Sequence, residues 1–219
     1  MELFSDDKFL IETIGLGPLK TNVGIIYNKI IGEAMAIDVP PNAAEIIDSL
    51  VTDKKFKLTH VLITHGHWDH CGEAAALQQK GAIVLAHSGD ALWIEDPSTI
   101  PFFFEPNITL LPCKIDQYVD DIKQLNLCGL KIGIEHIPGH SRGSVGYFFE
   151  DFHIAFTGDV LFCETVGRSD FPGGDKHLLF KSIREGIYGH NKETTIVPGH
   201  GWITTIGHEI ANNPYVRLR

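Results

Sequence analysis

The chain has 219 residues, 43% of them hydrophobic and 21% charged, which is enough apolar material for one sizeable core and argues against a disordered chain. No uncharged apolar run of about 18 residues occurs, so a membrane-spanning helix is not expected. Eighteen Lys and Arg against 28 Asp and Glu leave a formal charge of −10 without a basic cluster, a balance that repels a phosphate backbone and argues against a nucleic-acid partner.

The N-terminal MELFSDDKFL is acidic and lacks the basic start and apolar stretch of a secretory signal. Four cysteines without CxxC pairing fit a reducing compartment, so a cytoplasmic location is expected. Residues 8–15, 21–28 and 33–38 are short, β-branched and apolar, separated by Gly, Pro or Asn, and predict successive antiparallel strands. After Pro40 and Pro41, residues Ala44, Ile46, Ile47, Leu50 and Val51 recur at helical spacing. A strand over 58–64, a polar loop, a helix over 72–80 and a strand over 82–87 read as a βαβ unit. A Pro- and Phe-rich crossing over 97–112 leads to strands near 124–128, 130–137, 145–149 and 152–157, then a helix around 175–188 and a last strand near 194–197. Two groups of strands, each with helices, predict two sheets packed face to face with helices outside.

Twelve histidines are the unusual count, since His is the commonest metal ligand and titrates near neutral pH. Three of them fall in Thr64-His65-Gly66-His67-Trp68-Asp69-His70, directly after the 58–64 strand. The chance of such an HxHxDH motif in a chain of this composition is roughly 0.002. If the extended spacing persists, His65, His67 and Asp69 project to one side and His70 to the other, so one loop feeds two adjacent metals. Further donors follow a Gly at other strand ends: His140 after Gly139, Asp159 after Gly158 and His200 after Gly199. His60, His87, His136, His153, His177, His190 and His208 have no motif partner and read as structural or solvent-facing, and Cys71 and Cys163 as packing residues.

These five motifs resemble the metallo-β-lactamase superfamily over about residues 10–210. The resemblance implies an α/β (α+β) fold, the αββα four-layer sandwich, with the site at one edge between the sheets. It implies that His65, His67 and His140 hold one metal, Asp69, His70 and His200 a second, and that Asp159 bridges them. Two divalent ions are expected, zinc first, with iron or manganese also suited to these donors. Within the superfamily, residues 167–175 (GRSDFPGGD) and Asp38 in AIDVP resemble the glyoxalase II branch and its single-domain relatives. That likeness implies substrate contacts from Arg168, which would pair with a carboxylate such as those of glutathione, and from Trp202. Asp170 stands where the branch has an aromatic hydroxyl. Residues 1–219 read as a single domain without the C-terminal glutathione-binding helical domain of full-length glyoxalase II enzymes.

The activity implied is hydrolysis of a thioester such as S-lactoylglutathione, or a related hydroxyacyl-thiol, by hydroxide held between the metals, because a bound cation lowers the pKa of water from about 15.7 towards about 7. Asp69 is the expected catalytic residue, orienting the hydroxide and handling its proton. The expected partner is therefore a small thioester, possible glutathione derivatives included; oligomeric state is not legible. The alternative is an iron-dependent persulfide dioxygenase acting on glutathione persulfide with one iron on His65, His67, His140 and Asp159. β-Lactam hydrolysis finds no support in the local motifs, and RNA processing would need a basic exosite. A non-catalytic binding module would be expected to lack one of the seven ligands, and all are present.

Overall fold

In the computed structural model, which describes residues 1–101 and 107–217, the early apolar segments pair in chain order. β1 (Glu2–Ser5), β2 (Phe9–Leu16), β3 (Thr21–Asn28), β4 (Glu33–Ile37), β5 (Lys57–Leu62), β6 (Ile83–Ala86) and β7 (Gln117–Tyr118) form one sheet in that order. Pairing is antiparallel from β1 to β4 and parallel from β4 to β7, as the antiparallel opening and the βαβ unit require. α1 (Ala44–Asp53) joins β4 to β5, α2 (Trp68–Cys71) and α3 (Ala74–Gln79) join β5 to β6, and α4 (Ala91–Glu95) follows β6. α1 lacks a capping side chain of its own. The Glu73 carboxylate instead accepts from the amides of Ala43 and Ala44 at 2.9 and 2.8 Å, which satisfies two of its open N–H groups.

The second sheet contains β8 (Gln124–Leu127), β9 (Leu130–His136), β10 (Val145–Phe149) and β11 (Ile154–Gly158). A separate ribbon of β12 (Leu161–Phe162) and β13 (Thr165–Val166) follows, then β14 (Thr195–Pro198) and β15 (Thr204–Thr205), which complete the sheet in the order β15-β14-β11-β10-β9-β8. α5 (Lys176–Ser182) runs into a π-helical stretch over Ile183–Ile187, and α6 (Ile206–Asn212) closes the fold.

The two-residue period of the strands sorts side chains into layers. Ile25, Tyr27, Ala34, Ala36 and Val61 face α1 and α3, whereas Ile26, Met35, Ile37 and Leu62 face the second sheet. There they meet Ile132, Ile134, Tyr147, Phe149 and Phe156. Phe148 and Ala155 point outward to Leu179, Ile183 and Ile206 of the C-terminal helices. Three buried layers between four structural layers make the expected αββα sandwich.

Several boundaries differ from expectation. The helix foreseen over 72–80 begins at Trp68, because His67 is the last extended residue and the backbone of Val39 donates to the His70 carbonyl at 2.7 Å, pinning a helical turn there. The strand foreseen from 152 starts at Ile154, since Glu150–Phe152 makes a 3-10 turn and His153 is left-handed. The 97–112 crossing lies partly outside the described residues; its start, Pro97–Thr99, is a 3-10 turn capped by Asp96. Among the described residues no helix is long and apolar enough to cross a membrane.

Candidate metal centre

Strand direction alone gathers the polar loops. β4 and β5 are parallel, so Asp38 and the His65–His67 segment leave the first sheet at one edge. β9 and β11 are each antiparallel to β10, and β14 is parallel to β11, so His140, Asp159 and His200 all follow strands of one direction. The two edges are stitched together where the Val145 amide donates to the Thr64 carbonyl at 2.9 Å and the Tyr147 hydroxyl donates to the Ile63 carbonyl at 3.0 Å. The β11–β14 register slips between Phe156 and Gly158, immediately before Asp159, and such irregularities re-aim the next side chain.

Two glycines make the crowding possible. Gly158 is left-handed at φ 52°, and a β-carbon there would lie 2.6 Å from Thr64 Oγ1. A β-carbon on Gly199 would collide with Asp159 Oδ1 and lie 2.6 Å from His70 Cε1.

The donors converge in two adjoining sets. His140 Nε2 lies 3.2 Å from His65 Nε2 and 2.9 Å from His67 Nδ1. His200 Nε2 lies 3.3 Å from His70 Nε2 and 3.0 Å from Asp69 Oδ2. Asp159 stands between them: Oδ1 is 3.3 Å from His70 Nε2, and Oδ2 is 3.6 Å from His200 Nε2 and 3.8 Å from His140 Nε2. All seven residues expected to bind metal are therefore brought together. The grouping arises differently from the period-two expectation, since the helical turn at Trp68–Cys71 carries Asp69 away from His65 and His67 and places it with His70 and His200.

Outer hydrogen bonds determine which nitrogen faces inward. Carbonyl and carboxylate oxygens only accept, so His70 Nδ1 donates to Asp38 Oδ2 at 2.7 Å, His140 Nδ1 to the Arg168 carbonyl at 2.7 Å and His200 Nδ1 to the Leu19 carbonyl at 3.1 Å. Thr64 Oγ1 donates to Asp38 Oδ2 at 2.8 Å, leaving its oxygen to accept from His65 Nδ1 at 3.2 Å. Four Nε2 lone pairs thus point at one another, an arrangement that a cation relieves. Tetrahedral zinc with Zn–N of about 2.0–2.1 Å sets its nitrogens about 3.3 Å apart, which the observed spacings match. Asp159 Oδ1 is also buried without a hydrogen bond of good geometry, and the donor set fits two divalent ions.

Electrostatics divides the centre. Burial, then crowding by His70, His67 and His140, drives the His65 pKa well below its usual value, and burial with His140 brings His67 to about 3. Burial would also lower His70, but Asp159, Asp38 and Asp69 overcome it and hold its pKa well above normal. His200 is raised in the same way, burial being outweighed by its bond to Asp69 and by Asp159. Asp69 and Asp159 stay below the usual carboxylate range because His70 and His200 outweigh burial. One half is a set of neutral nitrogen donors, while the other is acidic enough to call for positive charge.

Sequence reasoning missed Asp90. Its buried carboxylate accepts from the Gly66 amide at 2.9 Å and the Ser141 hydroxyl at 2.6 Å through Oδ2, and from the Gly143 amide at 2.9 Å through Oδ1. It thereby ties the His65–His67 loop to the His140 loop. The available signal was a Gly-Asp pair, Gly89-Asp90, shortly after a strand, as at Gly158-Asp159. Trp93 and Phe171 were missed as well; their ring centroids lie 5.6 and 6.1 Å from that of His67, giving this half an aromatic wall.

Arg168 and Trp202 both flank the centre, but differently. The Arg168 guanidinium bonds Asp170 twice, at 3.0 and 2.9 Å, and lies 4.0 Å over the Phe171 ring. Trp202 is 83% exposed two residues after His200. The other histidines lie in outer contacts: His87 stacks on His136, His190 on Phe148, and His208 pairs with Glu164. Cys71 is buried, which pushes its thiol well up, and donates to the His67 carbonyl, a packing role.

The sequence pattern of the metallo-β-lactamase superfamily matches residues 40–200. The chain is 35% identical over 213 residues to hydroxyacylglutathione hydrolase GloC of Haemophilus influenzae, a match covering 95% of this chain and 99% of that protein. Among solved structures, the BLEG-1 B3 metallo-beta-lactamase matches with a TM-score of 0.85 at 34% identity, over 94% of this chain and 99% of that one. TTHA1623, solved in a di-iron-bound form, matches with a TM-score of 0.74 at 30% identity, over 93% and 99%.

Proposed function

Because the chain belongs to the metallo-β-lactamase superfamily, we propose that it is a two-metal thioester hydrolase acting on S-lactoylglutathione or a related hydroxyacyl-thiol, with residues 1–219 serving as one catalytic domain. The observation that carries this reading is the pair of complete donor sets sharing Asp159. It is supported by the 35% identity to a hydroxyacylglutathione hydrolase. His65, His67 and His140 would hold one ion, Asp69, His70 and His200 the other, and Asp159 both. Zinc is the first expectation for these donors, which also suit iron and manganese.

The ions supply Lewis acidity and make water a competent nucleophile at neutral pH. The chain supplies order. Asp38 and the Thr64 hydroxyl fix the tautomers of His70 and His65, and Asp90 fixes the spacing of the loops that carry His65, His67 and His140. Asp69, held ionised beside His70 and His200, accepts a proton from the attacking water at Oδ2 and orients it. A thiolate leaves without obligatory protonation, so the mechanism needs no general acid. All four cysteines are free, which suits a reducing, cytoplasmic setting.

The test is Asp69→Ala with S-lactoylglutathione: turnover should fall by orders of magnitude with the loss of one metal equivalent, and near wild-type turnover would contradict the reading. A mononuclear persulfide dioxygenase would leave Asp69, His70 and His200 without a task, although they converge as closely as the other set. The 34% identity to BLEG-1 supports a second reading, β-lactam hydrolysis at the same centre. A chromogenic cephalosporin turned over faster than the thioester would favour it.

A further inference from the structure

The thioester reading leaves open what recognises the charged end of the substrate. Arg168 is the expected cation, yet both arms of its fork are closed on Asp170 and its face is covered by Phe171. A guanidinium so paired has little left to offer a second carboxylate. The open cation at the centre is Lys20.

Lys20 is placed by its neighbours. The Leu19 carbonyl accepts from His200 Nδ1 at 3.1 Å, and the Thr21 hydroxyl donates to the Asp69 carbonyl at 2.8 Å. Asn22 donates to the carbonyls of Pro198 and Gly201 at 2.9 and 3.1 Å. The residues flanking Lys20 thus hold two members of the Asp69–His70–His200 set and the loop that carries the third. Lys20 itself is left-handed at φ 55°, exposed, and in no ion pair among the described residues. With Thr13, Gly15, Asn22, Trp202 and Ile203 it lines a groove of about 710 Å³ that opens beside the His200 loop. One wall of this groove is the 83% exposed indole of Trp202, an amphipathic ring suited to lying along a flexible ligand chain.

We propose that this groove holds the carboxylate-bearing arm of the substrate, with Lys20 pairing with the carboxylate and Trp202 packing along the chain that leads to it. The assignment rests on the thioester reading and extends it to specificity. Charge complementarity favours it: in a chain of net charge −10, an unpaired ammonium at the rim of the centre is a local attraction for an anion that the rest of the surface repels. Ligand sites of this kind bury an apolar chain and fix its end with one or two polar groups, and a groove of this volume accommodates a peptide-sized molecule.

The experiment compares Lys20→Gln, Lys20→Glu, Trp202→Ala and Arg168→Gln in the metal-loaded protein. With S-lactoylglutathione, Lys20→Glu should raise KM about tenfold or more with kcat within about twofold, the size of one desolvated charge contact made equally in ground and transition state. With S-lactoyl-N-acetylcysteamine, which has no carboxylate, KM should be unmoved. Added salt should raise the wild-type KM for the anionic substrate and leave that of Lys20→Gln nearly flat. A binding arm is independent of turnover: S-hexylglutathione should change the Trp202 emission saturably, and Lys20→Glu should weaken that binding about tenfold. If no thioester is hydrolysed, the functional reading fails. If binding is absent, is indifferent to Lys20→Glu, or depends more on Arg168→Gln than on Lys20→Gln, the groove assignment is overturned whether or not turnover is seen.

Discussion

Replacing Asp90 by Asn tests whether the half-centre of His65, His67 and His140 depends on one buried carboxylate. Asp90 accepts three hydrogen bonds, two through Oδ2 from Gly66 and Ser141 and one through Oδ1 from Gly143. An amide of the same shape has a single oxygen. Its best orientation keeps the two Oδ2 bonds and turns an NH2 group against the Gly143 amide. That leaves a buried N–H unsatisfied at about 1–3 kcal/mol, and the two surviving bonds lose charge assistance worth about 1 kcal/mol together. The sum, about 2–4 kcal/mol, corresponds to a Tm about 4–16 °C lower for a chain of this size. Because Gly66 lies between His65 and His67, and Ser141 follows His140, loosening them should also weaken metal binding at that half by about 10–100-fold. Thermal unfolding of the metal-free protein and chelator competition on the loaded protein read the two effects separately. A Tm within about 1 °C of wild type with unchanged metal affinity would refute the role given to Asp90.

Other outcomes follow from the same geometry. Gly199→Ala should abolish binding of both metal equivalents, because its β-carbon would collide with Asp159 Oδ1 and crowd His70; full metal content by elemental analysis would contradict this. Asp38→Asn, which gives the amide amino group to either Thr64 or His70, should weaken the Asp69–His70–His200 half by about 10–100-fold in chelator competition. For the metal-free protein, His65 and His67 are held below their ordinary value, so the unfolded chain binds protons that the folded chain refuses. Stability should therefore fall as pH drops from about 6.5 towards 3, by up to about 1.4 kcal/mol per pH unit for each group, and Asp69 and Asp159 add the same sign below their ordinary range. The raised His70 and His200 act oppositely, their contribution being complete below about 6.5 and lost as pH rises through their folded values. The metal-free Tm should peak near neutrality, and a steady rise towards pH 4 would contradict these assignments.

The layers of the fold were legible because β3, β4, β10 and β11 alternate two kinds of apolar neighbour without interruption, so their period survives tertiary packing. The ligands were legible because each follows a Gly or a strand end in a short motif. What escaped was set by contacts distant in sequence. The helical turn at Trp68 depends on Val39 bonding the His70 carbonyl, and HxHxDH looks alike in an extended loop and at a helix start. Strands of two to four residues such as β1, β7 and β15 exist because a partner edge is present, and their own composition says little. Arg168 and Asp170 stand two apart in sequence, yet only the loop geometry reveals that they close on each other. Lys20 carries no motif at all, its place beside the centre coming from the anchors Leu19 and Thr21 on either side.

The most direct test of the two-metal hydrolase is elemental analysis of the purified protein paired with an S-lactoylglutathione assay on the same sample. The account predicts close to two divalent ions per chain together with thioester turnover that is lost on chelation and restored by adding the metal back. One iron per chain, no thioester turnover, and oxygen uptake with glutathione persulfide would contradict it.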